Sequence, residues 1–229
     1  MTRERAQPFI ATTTVLTGIG FVVVAYIVSQ GWTQDWDREL LLSLREPGNP
    51  DDPLGPSWFE EALAEVTALG GYTILVILSG IVLLSLFFAE KTREMWFTLA
   101  ALVGGSIVSS LLKLVFDRPR PDVAEQLDKT FTSSFPSAHA MVSTLAYLTL
   151  ALLAARLVED RAVRRFLIVM AVLLALAIGA SRVYLGVHWP SDVLAGWLAG
   201  ACWAGIAWLA ADAYSRSFST PGTIGHSRV

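Results

Sequence analysis

Six long apolar runs constrain the fold of this chain more than any other feature of its sequence. Each run approaches or exceeds the roughly 20 residues that an α-helix needs to cross the hydrocarbon core of a bilayer. The runs are Phe9–Gln30, Tyr72–Ala89, Met95–Phe116, Ser137–Ala155, Val163–Ser181 and Val193–Ala211. Because unpaired backbone groups are costly in lipid, we interpret all six as transmembrane helices. Only 16% of the residues are charged, which is low for a soluble domain and favours the same interpretation.

The arrangement of the runs predicts an all-α integral membrane protein, a compact six-helix bundle that forms a single domain over residues 1–229. No low-complexity tract or internal repeat divides the chain. The first run is too long for a typical signal-peptide core and lacks a small-residue cleavage site, so we expect it to remain as an anchor. The single cysteine, Cys202, lies in an apolar run and is interpreted as a small core residue.

The distribution of Lys and Arg predicts which helix ends face the cytoplasm. Ten basic residues flank one set of ends, and seven flank the other set, which also holds most of the acidic residues. We expect the richer side, with both termini and a tail over residues 213–229, to be cytoplasmic in a cell-membrane protein. The richer set is Arg3, Arg5, Lys91, Arg93, Arg156, Arg161, Arg164, Arg165, Arg216 and Arg228. The poorer set is Arg38, Arg45, Lys113, Arg118, Arg120, Lys129 and Arg182.

The predicted outer loop, residues 31–71, contains a segment with helical periodicity. Its apolar residues recur at helical spacing between Trp58 and Leu69, and Gly70 and Gly71 follow as terminators. Ser57 and the glutamate three residues later predict a capping box. We expect a short amphipathic helix at the outer membrane interface. A helix packed on the protein's own loops is the alternative.

Three polar motifs lie at the predicted outer ends of the helices. KLVFDRPRP ends the third run, SSFPSAHA opens the fourth, and SRVYLGVHWPSD joins the fifth to the sixth. A cytoplasmic N-terminus places all three on one face, so we expect them to converge. Taken alone, Lys113 is explained as a snorkelling anchor, and Arg118 and Arg120 as loop or headgroup charges. Taken together, the motifs supply cations, two histidines and a carboxylate, which indicates a phosphate site at the membrane surface.

The residue types in these motifs suit a phosphate ligand. Lys113, Arg120 and Arg182 can neutralise the charge of a phosphate ester, and arginine can bind two of its oxygens at once. The backbone N–H groups around Ser137 and Ala138, at the start of the fourth run, predict an anion seat at a helix N-terminus. The Ser137 hydroxyl can add a further donor.

The same motifs predict a catalytic pair and an acid. Asp192 follows His188 by four residues and can hold one ring nitrogen, which leaves the other free to attack phosphorus. His139 is expected to protonate the leaving oxygen, after which water hydrolyses a phosphohistidine. The third histidine, His226, lies in the polar tail, and no metal-ligand pattern occurs. We therefore predict metal-independent chemistry without a cofactor.

These residues resemble the signature of the type 2 phosphatidic acid phosphatase family, which is K-x6-RP, then PSGH, then SR-x5-H-x3-D. The matching positions are Lys113, Arg120, Pro121, Pro136, Ser137, Ala138, His139, Ser181, Arg182, His188 and Asp192. The resemblance implies a compact helical bundle with a pocket at the membrane surface, and the roles given above for the two histidines and the aspartate. Ala138 replaces the family's glycine, and we expect activity to survive the added methyl.

The leading hypothesis is a phosphatase that acts on a lipid phosphate in the outer leaflet. Its substrate is expected to be a polyprenyl diphosphate, most narrowly undecaprenyl diphosphate, or else phosphatidylglycerol phosphate or phosphatidic acid. A phosphotransferase that uses the same histidine intermediate is an alternative. A non-catalytic lipid-binding or transport protein is a more remote alternative. We expect a membrane lipid as partner and no nucleic acid.

Overall fold

The computed structural model describes residues 3–122, 124 and 132–217, and of residues 3–6 only the backbone. Within these ranges the chain forms eight helices and one antiparallel hairpin. In chain order the elements are α1 (Arg3–Ser29), α2 (Gln34–Leu42), β1 (Arg45–Glu46), β2 (Asn49–Pro53), α3 (Ser57–Ala68), α4 (Tyr72–Phe88), α5 (Thr92–Phe116), α6 (Ala138–Leu157), α7 (Arg161–Tyr184) and α8 (Pro190–Ser217).

The six long helices coincide with the six apolar runs, which confirms the predicted all-α membrane fold. Five of them, α1, α5, α6, α7 and α8, are individually long and apolar enough to cross a membrane. The sixth, α4, has 17 residues and meets this condition only together with α3, from which it is bent by 47°. Large apolar side chains cover the outer faces of the bundle, as the 78% exposed Leu114 on α5 illustrates. Such faces are suited to lipid rather than to water.

The centre of the bundle is α6, which packs against α5, α7 and α8, while α1 packs on the other side of α8. Glycines on α8 allow its backbone to approach α6 closely. A Cβ on Gly196 would lie 2.8 Å from the carbonyl oxygen of Ser137, and one on Gly200 would lie 2.5 Å from that of Met141. This close approach holds the first turn of α6 beside the first turn of α8.

The segment between α1 and α3 contains structure that the sequence patterns did not predict. The short helix α2 buries Asp37 and Leu41, and the hairpin pairs Arg45 with Pro53. Gly48 has φ +88° and forms the hairpin turn, a conformation that glycine adopts without strain. Both elements are short and largely polar, so their sequences resemble an exposed loop.

The predicted amphipathic helix is present as α3, but the predicted capping box is wrong. Pro56 is the N-cap residue, with φ −74° and ψ 154°, so Ser57 is already helical and its hydroxyl does not cap the helix. One face of α3 packs against α7, where Phe59 meets Tyr184 edge to face at 5.4 Å. The opposite face leaves Trp58 66% exposed. The helix therefore covers the end of α7 that carries the third motif.

The predicted tail over residues 213–229 begins inside a helix, because α8 continues to Ser217. Residues 218–229, which include His226 and Arg228, lie outside the described residues, as does Lys129. The side chains of Arg3 and Arg5 lie outside them as well.

Candidate active site

The helix directions bring the three motifs to one end of the bundle. Lys113 lies in the last turn of α5 and Arg182 in the last turn of α7, whereas Asp192 lies in the first turn of α8. Ser137 is the N-cap of α6, and its backbone N–H donates to the carbonyl oxygen of Asp192 at 3.0 Å. Residues far apart in the chain therefore meet in one cluster, as the predicted topology requires.

His188 and Asp192 form a buried pair between α7 and α8. The ring Nδ1 lies 3.5 Å from Asp192 Oδ2, and the two side chains are 2% and 0% exposed. The same carboxylate oxygen accepts the backbone N–H of Trp189 at 3.0 Å and the hydroxyl of Ser134. Ser134 Oγ also lies 3.4 Å from Nδ1. The orientation of the imidazole is thus constrained from its Nδ1 side.

The other ring nitrogen of His188 faces the cations. Arg120 Nη1 lies 3.1 Å from Nε2. Since a guanidinium can only donate, this contact assigns the lone pair to Nε2 and the proton to Nδ1, towards Asp192. Burial lowers the pKa of His188 to about 3, and the hydrogen bond and charge of Asp192 offset only part of that effect. The ring is therefore neutral near pH 7, and the lone pair of Nε2 points at Arg120.

Three cations from different parts of the chain lie near one another here: Arg120 and Lys113 act electrostatically on His188, and Arg182 acts on Lys113. Arg120 also donates to the carbonyl oxygens of Val187 and Thr132, at 2.7 and 2.8 Å. Lys113 Nζ donates to the carbonyl oxygen of Ser133. Arg182 is 1% exposed. The backbone between α5 and α6 thus holds two of the cations in position.

A hydroxyl on α3 contacts the third cation. Arg182 Nη1 donates to Thr67 Oγ1 at 3.0 Å, and Thr67 is itself buried. The residues that follow lie against His139: a Cβ on Gly70 would be 3.5 Å from His139 Cδ2 and 2.4 Å from Ile178. A side chain at position 70 would therefore collide with Ile178 and touch the ring of His139, so the α3–α4 junction packs against His139.

The start of α6 differs in one respect from the predicted anion seat. The Ser137 N–H is bonded to Asp192, and the Ser137 hydroxyl lies 3.5 Å from the Ala140 N–H, which it accepts. Both Ser137 groups thus have partners within the protein. The predicted seat is therefore reduced to the start of the first turn of α6, at Ala138, where helix geometry gives the N–H groups no intrahelical partner.

Arg118, which the sequence suggested was an ordinary loop or headgroup charge, instead joins two buried carboxylates. Its guanidinium contacts Asp37 at 2.7 Å and Asp192 at 2.6 Å. Asp37 also accepts the backbone N–H and the hydroxyl of Ser191, at 2.8 and 2.6 Å. The network fixes α2 to the first turn of α8, and sequence reasoning missed both Asp37 and its role.

Among the described residues, no group of three His, Cys, Asp or Glu side chains could hold a metal ion.

Comparison with known proteins gives consistent matches. The model of the PAP2 superfamily matches residues 94–216, a range that contains all three motifs. Phosphatidylglycerophosphatase B of Bacillus subtilis is 32% identical over 144 residues, which are 62% of this chain and 70% of that protein. An undecaprenyl-diphosphatase of Sulfolobus acidocaldarius is 31% identical over 117 residues, 48% of this chain and 52% of that protein.

One solved structure shares the fold over nearly the whole chain. It is the crystal structure of a transmembrane PAP2 type phosphatidylglycerolphosphate phosphatase from Bacillus subtilis, with a TM-score of 0.75 and 24% sequence identity. The superposition covers 94% of this chain and 99% of that one. The likeness therefore includes the helices outside the matched range 94–216.

Proposed function

Because this chain belongs to the PAP2 superfamily, a family of phosphatases, and is a multi-pass membrane protein, we propose that it hydrolyses a lipid phosphate through a phosphohistidine at His188. The observation that carries the proposal is the contact of His188 Nε2 with Arg120 at 3.1 Å. It means that the lone pair of a buried, neutral imidazole points into the cation cluster where a phosphate would bind.

In the first step Nε2 attacks the terminal phosphorus, and the bond from this phosphorus to the ester oxygen of a monophosphate, or to the bridging oxygen of a diphosphate, breaks. Arg120 shifts from Nε2 to the phosphate oxygens, and Lys113 and Arg182 share their charge. Asp192 holds the Nδ1 proton and stabilises the ring as it becomes positive. His139 gives its proton to the leaving lipid oxygen.

In the second step water replaces the imidazole. His139, now neutral, accepts a proton from the attacking water, whose oxygen bonds to phosphorus as the phosphorus–nitrogen bond breaks. Inorganic phosphate leaves, and His188 and His139 return to their starting states. No group beyond the chain, the lipid and water is needed to balance the reaction.

Two lipid substrates have specific support. Phosphatidylglycerol phosphate is favoured by the name of the B. subtilis relative, which aligns over the larger share of both chains. Undecaprenyl diphosphate is supported by the name of the S. acidocaldarius relative. Three cations can neutralise either a monoester or a diphosphate, so the cluster suits both.

We also propose that the site faces outward and that the termini are cytoplasmic. At the helix ends opposite the site, the described basic residues include Lys91, Arg93, Arg161, Arg165 and Arg216. Seven described basic residues lie at those ends and six at the site end, and helix ends that are richer in Lys and Arg are typically cytoplasmic.

A panel of lipid phosphates tests the proposal. The purified protein is incubated in detergent with EDTA and with phosphatidylglycerol phosphate, undecaprenyl diphosphate or phosphatidic acid, and phosphate release is measured. We expect turnover of at least one lipid and a fall of several orders of magnitude in His188→Ala, as is typical when a nucleophile is removed. His226→Ala, the same substitution outside the three motifs, is the matched control and should retain wild-type rates.

Two outcomes contradict the proposal. Equal rates for wild type and His188→Ala would reject the nucleophile, and no release from any lipid would favour a binding or transport protein. A transferase is recognised by including an acceptor alcohol, because phosphate would then appear on the acceptor instead of in solution. Acid-labile, alkali-stable label on the wild-type chain after a brief reaction with labelled lipid would identify the phosphohistidine directly.

A further inference from the structure

A second polar cluster lies at the end of the bundle opposite the active site. Arg93 and Lys113 are both on α5, and twenty residues of helix separate them by about 30 Å along its axis. Around Arg93, the helices α5, α6 and α8 enclose a pocket. The same three helices carry Lys113, His139 and Asp192 at their other ends.

The walls of this pocket are mainly apolar, and two arginines lie on it. Phe97, Leu152 and Trp208 are among the apolar lining residues, and Arg93 and Arg156 supply the positive charge. The lining also includes one carboxylate, from Glu94, so the formal charge of the pocket is positive by one unit. This combination suits a ligand with an apolar body and a single anionic group.

Aromatic rings hold both guanidinium groups. The Arg93 guanidinium carbon lies 4.7 Å from the ring centroid of Tyr214 and 6.0 Å from that of Phe97. Arg156 lies 4.8 Å from the ring of Trp208. Stacking occupies the face of the Arg93 guanidinium and leaves the N–H groups on its edge to bind an anion, whereas Arg156 also donates to the carbonyl oxygen of Trp208 at 3.4 Å.

Two hydrogen-bonding groups in the pocket lining have no partner among the described residues. Arg93 Nη2 and Thr149 Oγ1 are both buried, and neither makes a hydrogen bond within the described residues. Buried polar groups in native proteins are nearly always paired, so an unpaired guanidinium N–H and an unpaired hydroxyl in one pocket point to an absent acceptor. They come from α5 and α6, so a ligand that bonded to both groups would join the two helices.

We propose that this pocket binds the phosphate group of a phospholipid from the leaflet opposite the active site. Arg93 and Arg156 contact the phosphate, Thr149 donates to it, and the apolar walls receive part of an acyl chain. Basic pockets between transmembrane helices at a membrane surface are suited to lipid headgroups. The bound lipid joins three helices that carry active-site residues. This inference does not depend on the proposed phosphatase activity.

Lipid binding to the full-length protein in detergent tests the proposal. Native mass spectrometry measures the apparent Kd for dioleoyl phosphatidylglycerol, with dioleoylglycerol and inorganic phosphate as separate arms. Each arginine near a membrane surface is worth a factor of about five in binding, so we expect Arg93→Gln and Arg156→Gln each to raise the Kd about fivefold. Arg93→Lys, which keeps the charge, should lose less affinity than Arg93→Gln.

Arg165→Gln is the matched control, because Arg165 is exposed in the first turns of α7, at the same end of the bundle but outside the pocket. Its Kd should equal that of the wild type. A variant that binds poorly because it is misfolded is recognised by a lowered thermal midpoint without added lipid. Arg156→Gln, whose arginine is exposed, then provides the decisive comparison.

Three results would overturn the proposal. Equal affinity for dioleoylglycerol would show that the phosphate plays no part. An equal Kd in wild type, Arg93→Gln and Arg156→Gln would show that the arginines play none. Binding of inorganic phosphate that dioleoyl phosphatidylglycerol cannot displace would identify a soluble anion, and not a lipid, as the occupant.

Discussion

Removing the Arg118 side-chain charge should test the network that positions Asp192. This guanidinium is 13% exposed and contacts two carboxylates that are both 0% exposed, Asp37 and Asp192. In Arg118→Met both carboxylates lose their cation but remain buried. Breaking a buried ion pair in this way typically costs about 3–5 kcal/mol of unfolding free energy.

The remaining hydrogen bonds place the expected cost near the lower end of that range. Asp37 keeps both bonds from Ser191, and Asp192 keeps those from Ser134 and the Trp189 backbone. A loss of about 3 kcal/mol corresponds to a thermal midpoint lower by roughly 6–12 °C for a chain of this length. Because Asp192 would then hold the imidazole less firmly, we expect kcat to fall about 10- to 100-fold, as is typical when an orienting partner is removed.

The assay is thermal unfolding in detergent, followed by tryptophan fluorescence, with phosphate release measured on the same samples. The exposed Arg38 on α2 supplies the matched control, and Arg38→Met should change neither quantity. The double variant Arg118→Met/Asp37→Leu removes one of the two buried carboxylates that lack a cation, so part of the lost stability should return. A midpoint within about 2 °C of wild type for Arg118→Met, together with an unchanged kcat, would refute the reasoning, since 1 kcal/mol moves the midpoint by that much.

Two further predictions concern residues around the proposed phosphate site. Thr67→Val removes the oxygen that Arg182 Nη1 contacts at 3.0 Å, and a bond to a charged group is worth about 1.5 kcal/mol or more, so kcat/KM should fall about tenfold. Thr67→Ser should restore kcat/KM. Equal activity of the valine and serine variants would show that the Thr67 hydroxyl does not position Arg182. For pH dependence, the folded-state pKa of His188 lies below its unfolded value, so stability is lost as pH falls from about 6.5 towards 3. The midpoint of the wild type should therefore drop more between pH 6.5 and 4 than that of His188→Gln, and parallel curves would contradict the buried neutral ring.

The long helices were predictable because each carries its own signal. A run such as the one in α5 is apolar over enough residues to span the bilayer, and nothing elsewhere in the chain is needed to identify it. The hairpin and α2 carry no such signal. Their residues are polar, and they become ordered through contacts with α8 and with the buried backbone of α7, where Arg45 donates to the Tyr184 carbonyl oxygen at 2.9 Å. A local sequence pattern does not predict contacts of this kind between distant segments.

The three motifs were recognisable in the local sequence for the same reason, and the residues that contact them from elsewhere in the chain were not. Asp37 and Thr67 belong to no motif, and they lie 81 and 115 positions in sequence from the arginines that they contact. A weaker signal was nevertheless present. Asp37 lies four residues before the fully buried Leu41, and Thr67 lies four residues after Leu63, which packs against Leu185 and its buried neighbours. Residues four apart share a helix face, so each polar side chain lies on the apolar face of its helix. A polar group buried in that way needs a partner, and here the partners are Arg118 for Asp37 and Arg182 for Thr67.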